Sequence, residues 1–175
     1  MTNLTNLTNL SNPFMTFTNI KNNQKEAVQA FQQFNIDEQL ALLWYLYKDI
    51  GNQISPEPND NSTGSPIAGS WVNQIKQAPK EEQLQIQRDI ASRKDTEYSH
   101  QYGALDSSTK LFFWYALAQS MDEGSVIQVP SDYNLPEQAQ GFLEQLKPLS
   151  LEDKITFAKS VVLPMGSGSP QSTQI

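Results

Sequence analysis

The chain has 175 residues, 38% of them hydrophobic, a net charge of −7 and no cysteine. That length supports one domain with a core of its own, without disulfides or thiolate metal sites. The acidic balance and the scattered Lys/Arg residues disfavour nucleic acid and anionic membrane surfaces as partners.

Residues 1–20 read as an N-terminal arm. Thr-Asn-Leu occurs three times in succession, and no basic start or continuous apolar region marks a secretory signal. A first helix is expected from Gln24 to Phe34, with Val28, Phe31 and Phe34 as one apolar stripe. Asp37 is expected to cap a second helix and Gly51 to stop it. Within that helix Leu40-Ala41-Leu42-Leu43-Trp44-Tyr45-Leu46-Tyr47 is apolar or aromatic throughout, too short to cross a bilayer. A helix apolar all round is buried, or has one face covered by something other than solvent.

Residues 52–66, rich in Pro, Asn and Ser, read as a long loop. A third helix is expected near Ile67 to Gln77, with Ile67, Trp71, Val72 and Ile75 as its stripe. Pro79 is placed at the first position of a fourth, carrying Leu84, Ile86 and Ile90. A short helical piece follows from Thr96 to Gly103. Asp106 or Ser107 then caps a helix running through Leu111-Phe112-Phe113-Trp114-Tyr115-Ala116-Leu117-Ala118 to a stop at Gly124. This second aromatic run echoes the first, Trp-Tyr included, as in a fold of two related halves. A helix from Leu135 to Leu146 and a last one capped by Ser150 complete the body. The tail from Ser167 reads as disordered. The body spans residues 21–166, with the tail at 167–175. The fold class is all-α, with helices one to four and the later set as two bundles meeting at the Trp-Tyr helices.

Catalytic chemistry finds little support. His100 is the single histidine and sits in a polar stretch, so it reads as a surface residue. Asp37/Glu38, Glu81/Glu82 and Asp122/Glu123 are adjacent pairs near helix ends and do not face each other. No glycine-rich loop matches a phosphate cradle. The protein is expected not to be an enzyme. What remains is a surplus of aromatics. Trp44 and Tyr47 share one helical face, and Trp114 and Tyr115 sit on the twin helix. Such side chains pack a core or grip a flat apolar ligand.

The segment Asn35-Ile36-Asp37-Glu38-Gln39-Leu40-Ala41-Leu42-Leu43-Trp44-Tyr45-Leu46-Tyr47 closely resembles the N-terminal domain of the cyanobacterial orange carotenoid proteins. So do Lys110–Tyr115, Val129-Pro130-Ser131-Asp132-Tyr133, and the ending Ile155-Thr156, Val161-Val162 and Met165-Gly166. The resemblance runs from about Gln24 to Gly166. It implies a stand-alone helical carotenoid protein, without the family's second, mixed α/β domain. It further implies two discontinuous four-helix bundles, related by a pseudo-repeat, with a ligand channel between them. The ligand would be a keto-carotenoid of the canthaxanthin or echinenone type.

On the same grounds, Trp44, Tyr47 and Trp114 would grip the terminal rings. Leu40, Leu43, Leu111, Met121, Val129, Pro130, Tyr133, Ile155 and Val162 fall on channel-lining positions, with Tyr115 beside them. Gln87 stands where the family has methionine, Ser108 where it has asparagine, Phe112 where it has glycine, and Lys159 where it has arginine. These four are carried as site residues as well. Lysine lacks the planar fork with which arginine would dock on the phycobilisome antenna. The implied function is photoprotection, by quenching singlet oxygen or excited antenna energy in a cytoplasmic monomer, at the phycobilisome on the thylakoid surface in the antenna case. The alternative is a carrier that exchanges pigment with a separate partner resembling the second domain. A third reading is a helical adaptor without pigment.

Overall fold

In the computed structural model, residues 24–51 and 64–168 are described. They form eight helices and no strand. These are α1 (Gln24–Gln33), α2 (Ile36–Ile50), α3 (Gly64–Lys76), α4 (Lys80–Ala91), α5 (Glu97–Gly103), α6 (Ser107–Glu123), α7 (Glu137–Leu146) and α8 (Leu151–Val162). The expected arm at 1–20 and most of the expected loop and tail lie outside the described residues.

The helices do not group in chain order. α1 packs on α8, and α2 on α7 and α8, while α3 lies along α6 and α4 against α5. One bundle is therefore α1, α2, α7 and α8, and the other is α3 to α6. This corrects the grouping of helices one to four. The first bundle is discontinuous in sequence because its core rings come from both ends of the chain. Phe31 meets Phe157 edge-on at 5.9 Å, and Phe142 touches both Phe157 at 5.8 Å and Phe34 at 5.6 Å. In the second bundle Phe113 is the hub, 5.7 Å from Trp71 and 5.6 Å from Tyr102. Edge-on pairs of this kind add to plain apolar burial.

Several helix ends differ from expectation for local reasons. Asn35, not Asp37, caps α2. Its Oδ1 accepts from the Glu38 N–H at 2.8 Å while the Asn35 N–H donates to Glu38 Oε1 at 3.0 Å, a reciprocal box. Asp37 is thereby released to pair with Arg88 on α4. Gly51 keeps right-handed backbone (φ −59°), so α2 needs no left-handed stop, whereas Gly124 supplies one at φ 87°. Pro79 occupies the N-cap position rather than the first helical position, and Pro136 is the N-cap of α7, which begins at Glu137 rather than Leu135. Gly64 and Pro66, placed in the loop by composition, belong to the first turns of α3. Ile67 does not join the apolar stripe of α3 and is 51% exposed. Ser167 is not free tail: its N–H donates to the Ser99 carbonyl and hydroxyl at 3.0 and 2.8 Å.

The end of α8 ties the two bundles together. The last carbonyls of a helix lack partners within it. Here the Tyr102 hydroxyl donates to the Val162 carbonyl at 2.6 Å, and Lys110 Nζ donates to the Leu163 carbonyl at 2.9 Å. Both donors come from the other bundle. The Gly166 N–H then donates to the Ile90 carbonyl at 2.8 Å. At the far side, buried Lys154 of α8 pairs with Asp49 of α2 at 2.7 Å.

Candidate ligand-binding site

Two cavities lie where the bundles meet. The first, of about 360 Å³, is walled by α2, α6 and α8, with Gln87 of α4. The second, of about 270 Å³, lies between the start of α2, α4 and the link after α6. Leu40, Gln87 and Met121 line both, so these three form the junction. Both volumes are on the scale of, or just below, small-molecule pockets of about 300–1,000 Å³.

Helical spacing builds the first cavity. Leu40, Leu43, Trp44 and Tyr47 recur at three and four residues along α2, so they share a face. That face is half-buried, while Leu42 is buried in the bundle and Leu46 and Ile50 are buried at the edge of the cavity. The all-apolar run thus divides between core and cavity wall. Trp44 stacks on Tyr47 at 5.7 Å with 25° between planes, and Tyr47 meets Tyr115 edge-on at 5.6 Å. Lys48 Nζ stands 5.4 Å over the Trp44 ring and pairs with Asp122 of α6 at 3.3 Å. Opposite, α6 contributes Leu111, Phe112, Trp114, Tyr115 and Met121, and α8 contributes Ile155, Lys159 and Val162.

The two Trp-Tyr helices are not equivalent. Trp114 is 8% exposed, and its indole N–H donates to the Tyr102 hydroxyl at 3.0 Å. Tyr102 is fully buried and in turn donates to Val162. This chain of bonds fixes one cavity wall to the clasp at the end of α8. Trp44 is held by contacts within its own helix, the stacked Tyr47 ring and the Lys48 ammonium.

The electrostatics are those of a dry slot. Burial pushes the Tyr47 hydroxyl above its ordinary pKa, and Asp122, Tyr115 and Glu123 add to the rise. Burial alone raises Tyr115, and burial raises Tyr102 well above its usual value against the opposing hydrogen bond from Trp114. The phenols therefore stay neutral at physiological pH. Burial also lowers Lys110, with Arg93 adding and Asp106 opposing.

Every residue carried as a site residue from the sequence lines one cavity or the other. Val129, Pro130 and Tyr133 belong to the second; Leu40, Gln87 and Met121 to both; the rest to the first. Ser108 and Lys159 are exposed, so the first cavity opens to the surface beside them. Sequence reasoning missed Leu46 and Ala118, and also Ile50, Leu117 and Ala158, which continue the stripes of Tyr47, Trp114 and Ile155 by one further step of three residues. It also missed the rim of the second cavity, where Arg88 Nε and Nη2 grip Asp37 at 2.8 and 3.0 Å. His100 is exposed and paired with Asp95, and lines neither cavity. Among the described residues no group of three or more His, Cys, Asp or Glu is placed to hold a metal, and no helix is long and apolar enough to cross a membrane.

The profile of the family described as orange carotenoid protein, N-terminal, matches residues 18–168. The chain belongs to the orange carotenoid protein N-terminal family. A relative from Nostoc sp. strain PCC 7120, an orange carotenoid-binding domain-containing protein, is 42% identical over 79% of this chain and 81% of its own length. The orange carotenoid-binding protein of Limnospira maxima is 30% identical, and the chain spans 44% of that longer relative. Among solved structures, the red carotenoid protein of Anabaena (Nostoc) sp. PCC 7120 binding canthaxanthin superposes with a TM-score of 0.72. It is 41% identical, over 82% of this chain and 98% of that one. The orange carotenoid protein of the same organism binding canthaxanthin gives 0.76 at 29% identity, over 86% of this chain and 47% of that one.

Proposed function

We propose that this chain binds a keto-carotenoid of the canthaxanthin or echinenone type between its two bundles and serves in photoprotection. The observation that carries the reading is the pair of cavities joined at Leu40, Gln87 and Met121, walled by indole and phenol rings. A rod-shaped polyene suits an apolar passage longer than it is wide, where dispersion contacts accumulate along its length. Trp44 and Trp114 face the first cavity from opposite helices and would hold a terminal ring, while Pro130 and Tyr133 would line the far end. Relatives in the family bind canthaxanthin with the same fold. When bound, such a pigment takes up energy from singlet oxygen or an excited antenna pigment and releases it as heat. The residues supply solubility, dryness and a fixed geometry. Neutral tyrosines keep charge away from the conjugated system.

The test is titration of pigment-free protein with canthaxanthin. Trp44→Ala and Trp114→Ala each remove a ring from the wall and weaken binding by at least about tenfold. Wild-type affinity in both variants contradicts the assigned pocket.

The opening beside Ser108 and Lys159 favours a second reading, a carrier that passes its pigment to a separate partner resembling the family's second domain. Mixing pigmented protein with such a partner and following the absorption of each distinguishes the two. Under quenching alone the pigment stays. Quenching of antenna energy would place the protein at the phycobilisome on the thylakoid surface; quenching of singlet oxygen alone leaves it in the cytoplasm.

A further inference from the structure

Two glutamines one turn apart on α4 are treated very differently by the fold. Gln83 is 1% exposed and fully used. Its Nε2 donates to the Ala78, Ile75 and Ser125 carbonyls at 3.1 to 3.2 Å, and its Oε1 accepts from the Ile127 N–H at 2.7 Å. Gln87 lies four residues on, so it projects from the same face. It is 4% exposed, yet its amide has no hydrogen-bond partner among the described residues. Nor are its polar atoms sealed against protein, because the side chain lines both cavities at their junction with Leu40 and Met121. An amide in that position carries two N–H donors and a carbonyl acceptor into an otherwise apolar passage. Leaving them unmade is costly, so a polar atom of the occupant is needed there.

We infer that Gln87 is a specificity-determining residue, whose Nε2 donates a hydrogen bond to a ring oxygen of the pigment and so selects oxygenated over purely hydrocarbon carotenoids. The bond also fixes where that ring sits, with its oxygen at the junction beside Leu40 and Met121. The inference rests on the carotenoid reading above and adds a residue and a selection rule to it.

The experiment compares canthaxanthin, with a keto oxygen on each ring, and β-carotene, with none, on pigment-free wild-type protein. The same pair is then measured on Gln87→Met and Gln87→Leu. The wild type is expected to prefer canthaxanthin by about tenfold or more, the factor that one buried hydrogen bond supplies. Both variants are expected to bring the two pigments within about threefold, by weakening canthaxanthin and strengthening β-carotene. The carbonyl stretch of bound canthaxanthin is expected at lower frequency in the wild type than in Gln87→Met, a shift that a merely structural role does not produce. Equal wild-type affinity for the two pigments overturns the inference without recourse to any variant. So does a wild-type preference that survives in both variants. Failure to bind either pigment overturns the carotenoid reading together with it, and is thereby distinguished from failure of the selection rule alone.

Discussion

Removing one oxygen atom, in Tyr102→Phe, tests how the bundles are joined. Tyr102 is fully buried and links Trp114 to the Val162 carbonyl. The two partners lose unequal amounts. Val162 keeps a second donor, the Met165 N–H at 3.3 Å, so its carbonyl is weakened rather than orphaned. The Trp114 N–H has no such substitute in its hydrogen bond to Tyr102, and an orphaned buried donor costs about 1–3 kcal/mol. The ring itself stays, so packing against Phe113 and the Lys110 ammonium is kept. The sum is about 2 kcal/mol. For a chain of this size that lowers Tm by roughly 4–8 °C. Denaturant unfolding followed by circular dichroism reads it as a shift in midpoint at constant slope. A loss below about 0.5 kcal/mol, within the range of an ordinary surface substitution, refutes the reasoning that this chain of bonds fixes the wall of the cavity.

Alkaline titration is a second test. Tyr102, Tyr47 and Tyr115 have raised pKa values when folded. Their contribution is complete below the ordinary value near 10, and above it the unfolded chain loses protons that the folded one retains. Stability therefore falls as pH rises past about 10, with the one lowered ammonium, Lys110, opposing the three phenols, and Tyr102→Phe flattens that fall. Two glycines separate backbone strain from crowding. Gly124 at φ 87° has open space around it, so Gly124→Ala costs only about 1 kcal/mol for the left-handed backbone. At Gly166, φ 84°, a Cβ would lie 2.6 Å from Tyr102 Cδ1 and 3.0 Å from two backbone atoms, so Gly166→Ala costs clearly more, about 3 kcal/mol by thermal melts. Asn35→Ala removes the cap of α2 and costs about 1 kcal/mol in the same assay.

Much of the fold was legible because helix signals are local. The caps at Asp106 and Ser150, the stop at Gly124 and the aromatic runs of α2 and α6 all follow from neighbouring residues. Bundle membership was not local. Nothing near Phe31 announces Phe157 as its neighbour, so grouping by chain order failed while the resemblance to a family implied the discontinuous arrangement. Asn35 caps α2 through its box with Glu38, two positions before the expected Asp37, which is left to pair with Arg88, 51 positions on. The cavity wall was readable on α2 because Leu40, Leu43, Trp44 and Tyr47 keep helical spacing. Its split from the core residue Leu42, and its extension to Leu46 and Ile50, was not, since an all-apolar run carries no mark of which face meets a void. The unequal treatment of Gln83 and Gln87 is invisible in sequence, because two of the groups that satisfy Gln83, at Ser125 and Ile127, lie 42 and 44 positions on, while Gln87 meets none among the described residues.

The account stands or falls on whether the passage between the bundles holds a pigment. The direct measurement is the absorption spectrum of the full chain purified from cells that make canthaxanthin, with extraction of the pigment from the same sample. The account predicts a coloured protein with one carotenoid per chain and a band to the red of the free pigment. A folded, colourless protein from the same cells contradicts it.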